Sequence, residues 1–404
     1  MTEEKSLIDI TYRRRALAVG VLATVLLAAC SNTPGAQSSS PSGSTSASAS
    51  ASTSGHPLDQ IPPAPNFSGN IAGAGATFPN PIYQQWLVDY NKDNPNIKVS
   101  YDSIGSGGGV AQITANTVQF GASDAPMKPE ERAAAQTQNG SEVLHIPTVF
   151  GAVVPAYNIS SISAKLNFTP EALGGIFAGK ITKWNDQAIA SANPGVTLPA
   201  TDITVVHRSD GSGTTNVFTT YLTQVSPVWK DTLGANSSGK EVAWPVGLGG
   251  QGNEGVTATV TQTPGAIGYI ELAYAIANKV PFGKVKNKSG NFVDASLASV
   301  AAAANLTTIP QDLTFSSVNT EVVEGYPITN ATWLLVYKDQ DKVSTDQARS
   351  EALVHFLLWI LDKGEGEAKD LSYASLPDNL LQAARASVAT ISWQGKPIVD
   401  LLYK

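Results

Sequence analysis

The sequence predicts an α/β protein with mainly parallel strands, and three observations lead there. From Asn66 onward, short β-rich runs alternate with helical stretches, the pattern of strand–helix units laid on a sheet. The chain has 404 residues, 42% of them apolar, enough for two or three domains with sizeable cores. No repeat of about 20–50 residues recurs along it, which removes solenoids and propellers.

The N-terminal elements come first. Lys5, Arg13, Arg14 and Arg15 give a basic start, followed by the apolar run 16–29 and then Cys30, the single cysteine. Such a run rises about 21 Å as a helix, short of the ~30 Å hydrocarbon core, so residues 1–29 read as an export signal and not as a span. The stretch Leu27-Ala28-Ala29-Cys30 resembles a bacterial lipobox, in which the Cys is lipidated and becomes the mature N-terminus. An ordinary signal cut after Ala29, with Cys30 incidental, is the alternative. A lone cysteine excludes an intrachain disulfide, a zinc ribbon or an iron–sulfur site. Residues 31 to about 65 are almost only Ser, Ala, Thr, Gly and Pro, with Asp59 the one charge. Such a segment cannot recover its ordering entropy, so 30–65 is read as a lipidated Cys followed by a flexible tether, reaching roughly 30–35 Å.

In the body, strands are expected at 97–101, 149–157, 203–207, 266–270 and 333–337. Helices are expected at 81–92, 109–117, 169–174, 214–223 and 347–361. In the last of these Leu353, Phe356, Leu357, Ile360 and Leu361 fall on one helical stripe, read as a core face. Charge is sparse at 15%, and the net charge is −7. With no basic cluster beyond the N-terminus, a nucleic-acid partner is excluded.

Three segments share one design, a small hydroxyl-bearing turn running into a helix. They are Gly73-Ala74-Gly75-Ala76-Thr77-Phe78-Pro79, then Gly105-Ser106-Gly107-Gly108-Gly109, then Arg208-Ser209-Asp210-Gly211-Ser212-Gly213-Thr214-Thr215. A helix start presents unpaired N–H groups and a positive dipole end, and glycines let an anion approach the backbone. Ser, Thr and Gly are also common caps, so any one turn taken singly is explained as a cap. Three together, one preceded by an arginine, point to an oxyanion cradle. Arg208 would supply a planar fork for an oxyanion, and Asp210 could orient it through an ion pair. Asp124, in Phe120-Gly121-Ala122-Ser123-Asp124-Ala125-Pro126, is the odd member. A carboxylate would repel an anion unless the ligand still carries a proton to donate, as hydrogen phosphate does and sulfate at neutral pH does not. Taken alone, Asp124 would be a turn residue.

Segments 73–81, 104–110, 116–126, 210–214, 244–252 and 264–270 resemble the phosphate-binding proteins of bacterial high-affinity phosphate ABC transporters, in their lipoprotein form. Residues 184–186 and 375–377 continue the resemblance in the same order, so it covers nearly everything after about residue 68. The resemblance implies a two-lobed periplasmic-binding-protein fold of the flytrap type, type II-like, with two crossover segments near 147–155 and 326–335. Lobe 1 would hold residues 66–148 plus 330–404, and lobe 2 residues 149–329. Carried over position by position, the phosphate ligands fall on Thr77, Phe78 (through its backbone N–H), Ser106, Asp124, Arg208, Ser212, Gly213 and Thr214, with Asp210 as the partner that orients the arginine. The sequence departs from the family pattern at Gly107, His207 and Ser209, none of which matches a ligand. The implied protein is an extracytoplasmic monomer anchored to the membrane through Cys30, on the periplasmic or outer face. It would use no cofactor or metal and deliver phosphate to the permease subunits.

Other motifs carry less. Gly247-Leu248-Gly249-Gly250-Gln251-Gly252, with Glu271 about twenty residues on, matches a dinucleotide fingerprint. It is read as a structural loop, because no amphipathic helix is expected to open in its glycines. The four histidines, His56, His145, His207 and His355, are too scattered for a metal site. The rival reading is a secreted metal-independent phosphatase or esterase using Ser212 or Ser106, helped by Asp124 and by His207 or His145. The chain has no G-x-S-x-G elbow, which weighs against it. A surface adhesin or sensor with a relic pocket is the third reading.

Overall fold

The computed structural model describes residues 60–403. The expectations for the signal, for Cys30 and for the tether up to residue 59 lie outside the described residues. At the start of the described chain Ile61 and Pro62 already rest against the body. The carbonyl of Gln60 accepts a hydrogen bond of 2.7 Å from the Tyr403 hydroxyl.

Eight strands make one sheet: β1 (Gly69–Gly75), β2 (Ile97–Ser103), β3 (Phe120–Ser123), β4 (Val143–Tyr157), β5 (Thr204–Arg208), β6 (Leu248–Gly250), β7 (Ala266–Glu271) and β8 (Thr329–Tyr337). Their order is β2-β1-β3-β8-β4-β7-β5-β6. The flanks are parallel, β1 with β2 and β3 on one side, β5 with β6 and β7 on the other. The centre is antiparallel, where β8 pairs with β3 and β4, and β4 with β7. The sheet is therefore mixed, which corrects the expectation of mainly parallel strands. The cause is β4, whose first part pairs with β8 and whose last five residues, from Val153 to Tyr157, pair with β7. Nearly every residue of β4 and all of β8 are buried, as strands covered on both faces must be.

The helices that matter for the site are α1 (Asn80–Asp93), α2 (Ser106–Thr114), α3 (Pro129–Asn139), α4 (Pro170–Phe177), α5 (Gly213–Val225), α6 (Gly252–Gln262) and α7 (Gln347–Trp359). The five strands and five helices expected from sequence are all present, with ends shifted by a few residues. β1, β3, β6, α3 and α6 were not anticipated: the strands are short or rich in Gly and Ala, and the two helices carry too few large apolar residues to show a periodic stripe. The stripe on α7 is buried as expected, yet the burial runs all round the helix from Ala352 to Trp359. Tyr90 caps that packing, with its hydroxyl 2.8 Å from His355 Nδ1 and its ring edge-on to Phe356 and Trp359. The α-helical part ends at Trp359 and a π-helical turn, Ile360–Gly364, completes it.

Candidate anion-binding cleft

Parallel strands in one flank all end on the same side, so their carboxyl ends form a ledge where loops and helix starts collect. β1 leads through Thr77 and Phe78 into α1, β2 into α2 at Ser106, and β3 directly into Asp124. On the other flank β5 ends at Arg208 and leads into α5, and β6 leads into α6. The two ledges face each other. All eight expected ligand positions come together in this cleft, and each is buried.

Hydrogen bonds tie them together in groups. Ser106 Oγ accepts from the Asp124 N–H at 3.2 Å and from the Gly213 N–H at 2.9 Å, and lies 3.3 Å from Asp124 Oδ2. Arg208 forks onto Asp210, Nε donating to Oδ1 at 2.7 Å and Nη2 to Oδ2, while Nη1 donates to Thr214 Oγ1 at 3.3 Å. The Gly252 N–H donates to Asp210 Oδ1 at 3.0 Å, so the arginine's partner is itself held. Ser212 caps α5, accepting from the Thr215 N–H at 3.0 Å. Across the cleft the Gly107 N–H donates to the Gly211 carbonyl at 2.7 Å. At the rim the Lys240 ammonium pairs with Glu131 on α3 at 2.6 Å, both groups largely buried.

Residues that the sequence reading left out complete the walls. Asn253, in the first turn of α6, donates to Thr77 and Thr214. Thr332 on β8 donates to Asp124 Oδ1 at 2.8 Å. The Tyr274 hydroxyl donates to the Thr77 carbonyl at 2.6 Å, and that of Tyr373 to the Phe78 carbonyl at 2.7 Å. Tyr373 also lies 3.1 Å from Glu271 Oε2, a fully buried carboxyl whose Oε1 has no hydrogen-bond partner. The Gly247–Gly252 stretch corrects another expectation: a helix does open in its last glycine, and that helix start enters the cleft. A local signal existed, since Gly249-Gly250-Gln251-Gly252 is a glycine turn running into a helix like the other three, without their hydroxyls.

Charge inside the cleft is set by burial against pairing. Burial pushes the Asp124 carboxyl up to about 7, against the Thr332 hydrogen bond, the Arg208 charge and the Ser106 hydroxyl, which favour the ionised form. Burial likewise drives Glu271 well above the usual carboxylate range, because the Ala273 N–H and Tyr373 only partly offset it. At Asp210 burial acts in the same direction, but the Arg208 hydrogen bonds and charge outweigh it and hold the carboxyl below its ordinary value.

The two histidines of the enzyme reading point elsewhere. His207 lies 2.9 Å from the Arg208 carbonyl through Nδ1 and stacks on Trp244 at 5.0 Å. His145 accepts from the Met127 N–H at 3.0 Å, and burial lowers its pKa to about 3. Neither is bonded to Ser106 or Ser212. Among the described residues no group of three His, Cys, Asp or Glu side chains gathers as a metal site would need, and no helix is long and apolar enough to cross a membrane.

Known proteins resemble this chain in sequence and in fold. The model of the PBP superfamily domain matches residues 40–363. The phosphate-binding protein PstS of Xylella fastidiosa is 44% identical over 322 residues, spanning 79% of this chain and 85% of its own. That of Pasteurella multocida is 44% identical over 325 residues, spanning 79% and 90%. A solved high affinity periplasmic phosphate-binding protein with bound phosphate has a TM-score of 0.64 at 22% identity, covering 81% of this chain and 96% of that one. The fold is the two-lobed α/β fold of periplasmic phosphate-binding proteins.

Proposed function

The chain belongs to the PstS family of phosphate-binding proteins, within the PBP superfamily, and we propose that it captures inorganic phosphate outside the cytoplasm and delivers it to an ABC permease. Residues 66–148 with 330–404 form one lobe and 149–329 the other, and they close over the ion. Thr77, Phe78, Ser106, Arg208, Ser212, Gly213 and Thr214 donate to it, Asp210 orients the arginine, and Asp124 accepts the proton that the ion still bears. Cys30 carries the lipid that tethers a monomeric body to the membrane.

One observation carries this reading: four helix starts and a single guanidinium gather around Asp124, a buried carboxyl that lacks a cationic partner of its own. Donors alone would hold any tetrahedral oxyanion. The carboxyl makes the pocket hostile to an unprotonated one, a mismatch that costs roughly 10⁴–10⁵ in affinity when buried groups are left unpaired. Charged hydrogen bonds contribute about 1.5–3 kcal/mol each, so several of them reach micromolar or tighter binding after association costs. The hydrolase alternative has no such support, because neither serine has a histidine base beside it.

Calorimetric titration with phosphate and with sulfate tests the assignment. Phosphate is expected to bind at micromolar or lower Kd, sulfate far more weakly. Arg208→Ala is expected to weaken phosphate binding by at least about 2–3 kcal/mol, the effect of removing a charged partner. An unchanged affinity in that variant would remove the assignment.

A further inference from the structure

We infer that Asn253 is a positioning residue for the anion site: it fills the lone pairs of Thr77 and Thr214 so that both hydroxyls can only donate into the cleft. The inference rests on the phosphate-binding reading above and extends it to a residue that does not itself touch the ion.

The argument is an inventory of protons. Asn253 is fully buried at the start of α6. The N–H of Glu271 donates to its Oδ1 at 2.8 Å, which fixes the amide's orientation, since a flipped amide would set two donors against each other. Its Nδ2 is then directed at both threonines, 2.9 Å from Thr77 Oγ1 and 3.1 Å from Thr214 Oγ1. The Asn253 backbone N–H adds a second bond to Thr77 Oγ1 at 3.0 Å. Arg208 Nη1 adds a second bond to Thr214 Oγ1 at 3.3 Å.

A threonine hydroxyl has one hydrogen and two lone pairs. Thr77 therefore accepts twice, and so does Thr214, and each hydrogen is left as a donor. Thr77 follows β1 and Thr214 opens α5, so one amide sets hydroxyl hydrogens on both walls of the cleft. A hydroxyl free to rotate would accept as readily as donate. An oxyanion offers only acceptors apart from its acidic proton, so fixing the direction of these hydrogens prepares the site before the ion arrives.

A double-mutant cycle on the full-length protein, read by calorimetry with inorganic phosphate, tests this. Asn253→Asp keeps the shape and the bond from Glu271, but its second oxygen can only accept and draws both hydroxyl hydrogens away from the cleft. Thr77→Val is expected to weaken phosphate binding about tenfold or more in the parent protein. In the Asn253→Asp background the same change is expected to cost less than about threefold, because the Thr77 hydroxyl has already been lost to the ion. The repulsion brought by the new carboxylate is common to both arms and cancels in the cycle. Additive losses within about twofold would overturn the inference and reduce Asn253 to a structural residue. Should Asn253→Asp not fold, Asn253→Ala takes its place in the cycle: the hydroxyl, no longer held in direction, is expected to give up part of its bond to the ion, so that Thr77→Val costs about threefold less than in the parent, and additivity is again decisive against it. Phosphate failing to bind the parent protein would instead overturn the reading of the site itself.

Discussion

At Asp124 burial and hydrogen bonding pull in opposite directions, and the balance sits where it is useful. Its ordinary pKa is 3.8 and its value in the folded protein is about 7. The folded chain thus keeps a proton that the unfolded chain releases between those values, so the ionised carboxyl destabilises the fold increasingly as pH rises from about 4 to 7, and fully above that. Asp124→Asn is expected to raise the Tm at pH 8 and leave it nearly unchanged at pH 4. On the proposed reading the same titration would govern selectivity. Above pH 7 the carboxylate can only accept, and sulfate is expected to be refused. Below it the protonated acid can donate, and sulfate affinity is expected to rise as pH falls from 8 to 5. In Asp124→Asn sulfate binding should lose that pH dependence. A parent protein whose sulfate affinity is flat across this range would contradict the proton-reading role.

Among the elements, the starts of α2 and α5 meet across the cleft with almost no room between them. Gly105, which precedes α2, has φ of +87°, and a Cβ there would lie 2.2 Å from Asp210 Oδ2. A Cβ on Gly213, at the start of α5, would lie 2.5 Å from the Cβ and Oδ2 of Asp124 and 2.6 Å from Ser106 Oγ. Helix propensity and closure therefore make opposite demands at Gly213. Ala is the better helix former by about 1 kcal/mol in a helix interior, but Gly213 is the first residue of α5 and the clash costs about 1–3 kcal/mol, so Gly213→Ala should keep or lower the Tm. The added methyl holds the two walls apart and removes the Gly213–Ser106 bond, so phosphate affinity is expected to fall by about a hundredfold or more, the loss of two or more hydrogen bonds. Near-normal affinity, measured by calorimetry, would show that the walls do not need to approach this closely.

For the whole molecule, β8 and β4 join the two flanks of the sheet, β8 paired with β3 and β4 with β7, and they pair with each other along all of β8. The register of that pair shifts between Thr332 and Trp333, and Thr332 is the residue that holds Asp124. Any opening of the cleft must break the bonds that cross it, Gly213–Ser106, Gly107–Gly211, Asn253–Thr77 and Lys240–Glu131, while the central ladder of the sheet survives. On the proposed reading phosphate would add bonds to both walls and so favour the closed arrangement by its differential affinity. Small-angle scattering of the full-length protein is expected to show a contraction on saturation with phosphate and none with sulfate. Identical profiles with and without phosphate would mean that binding does not use closure.

The sequence by itself determined the alternation of strands and helices, the three turn-into-helix cradles, and the residues in them that hold charge or hydroxyls. Each of these is written in neighbours a few positions apart, where helix caps, glycine turns and apolar spacing operate. The antiparallel centre of the sheet and the residues that complete the cleft were decided only by tertiary structure. Asn253 reaches Thr77 across 176 positions, Thr332 reaches Asp124 across 208, and Tyr373 reaches Glu271 across 102. No local pattern encodes such pairs. They exist because two crossing strands bring the ends of distant strands to one cleft, where buried polar groups must find partners from whatever the fold places beside them.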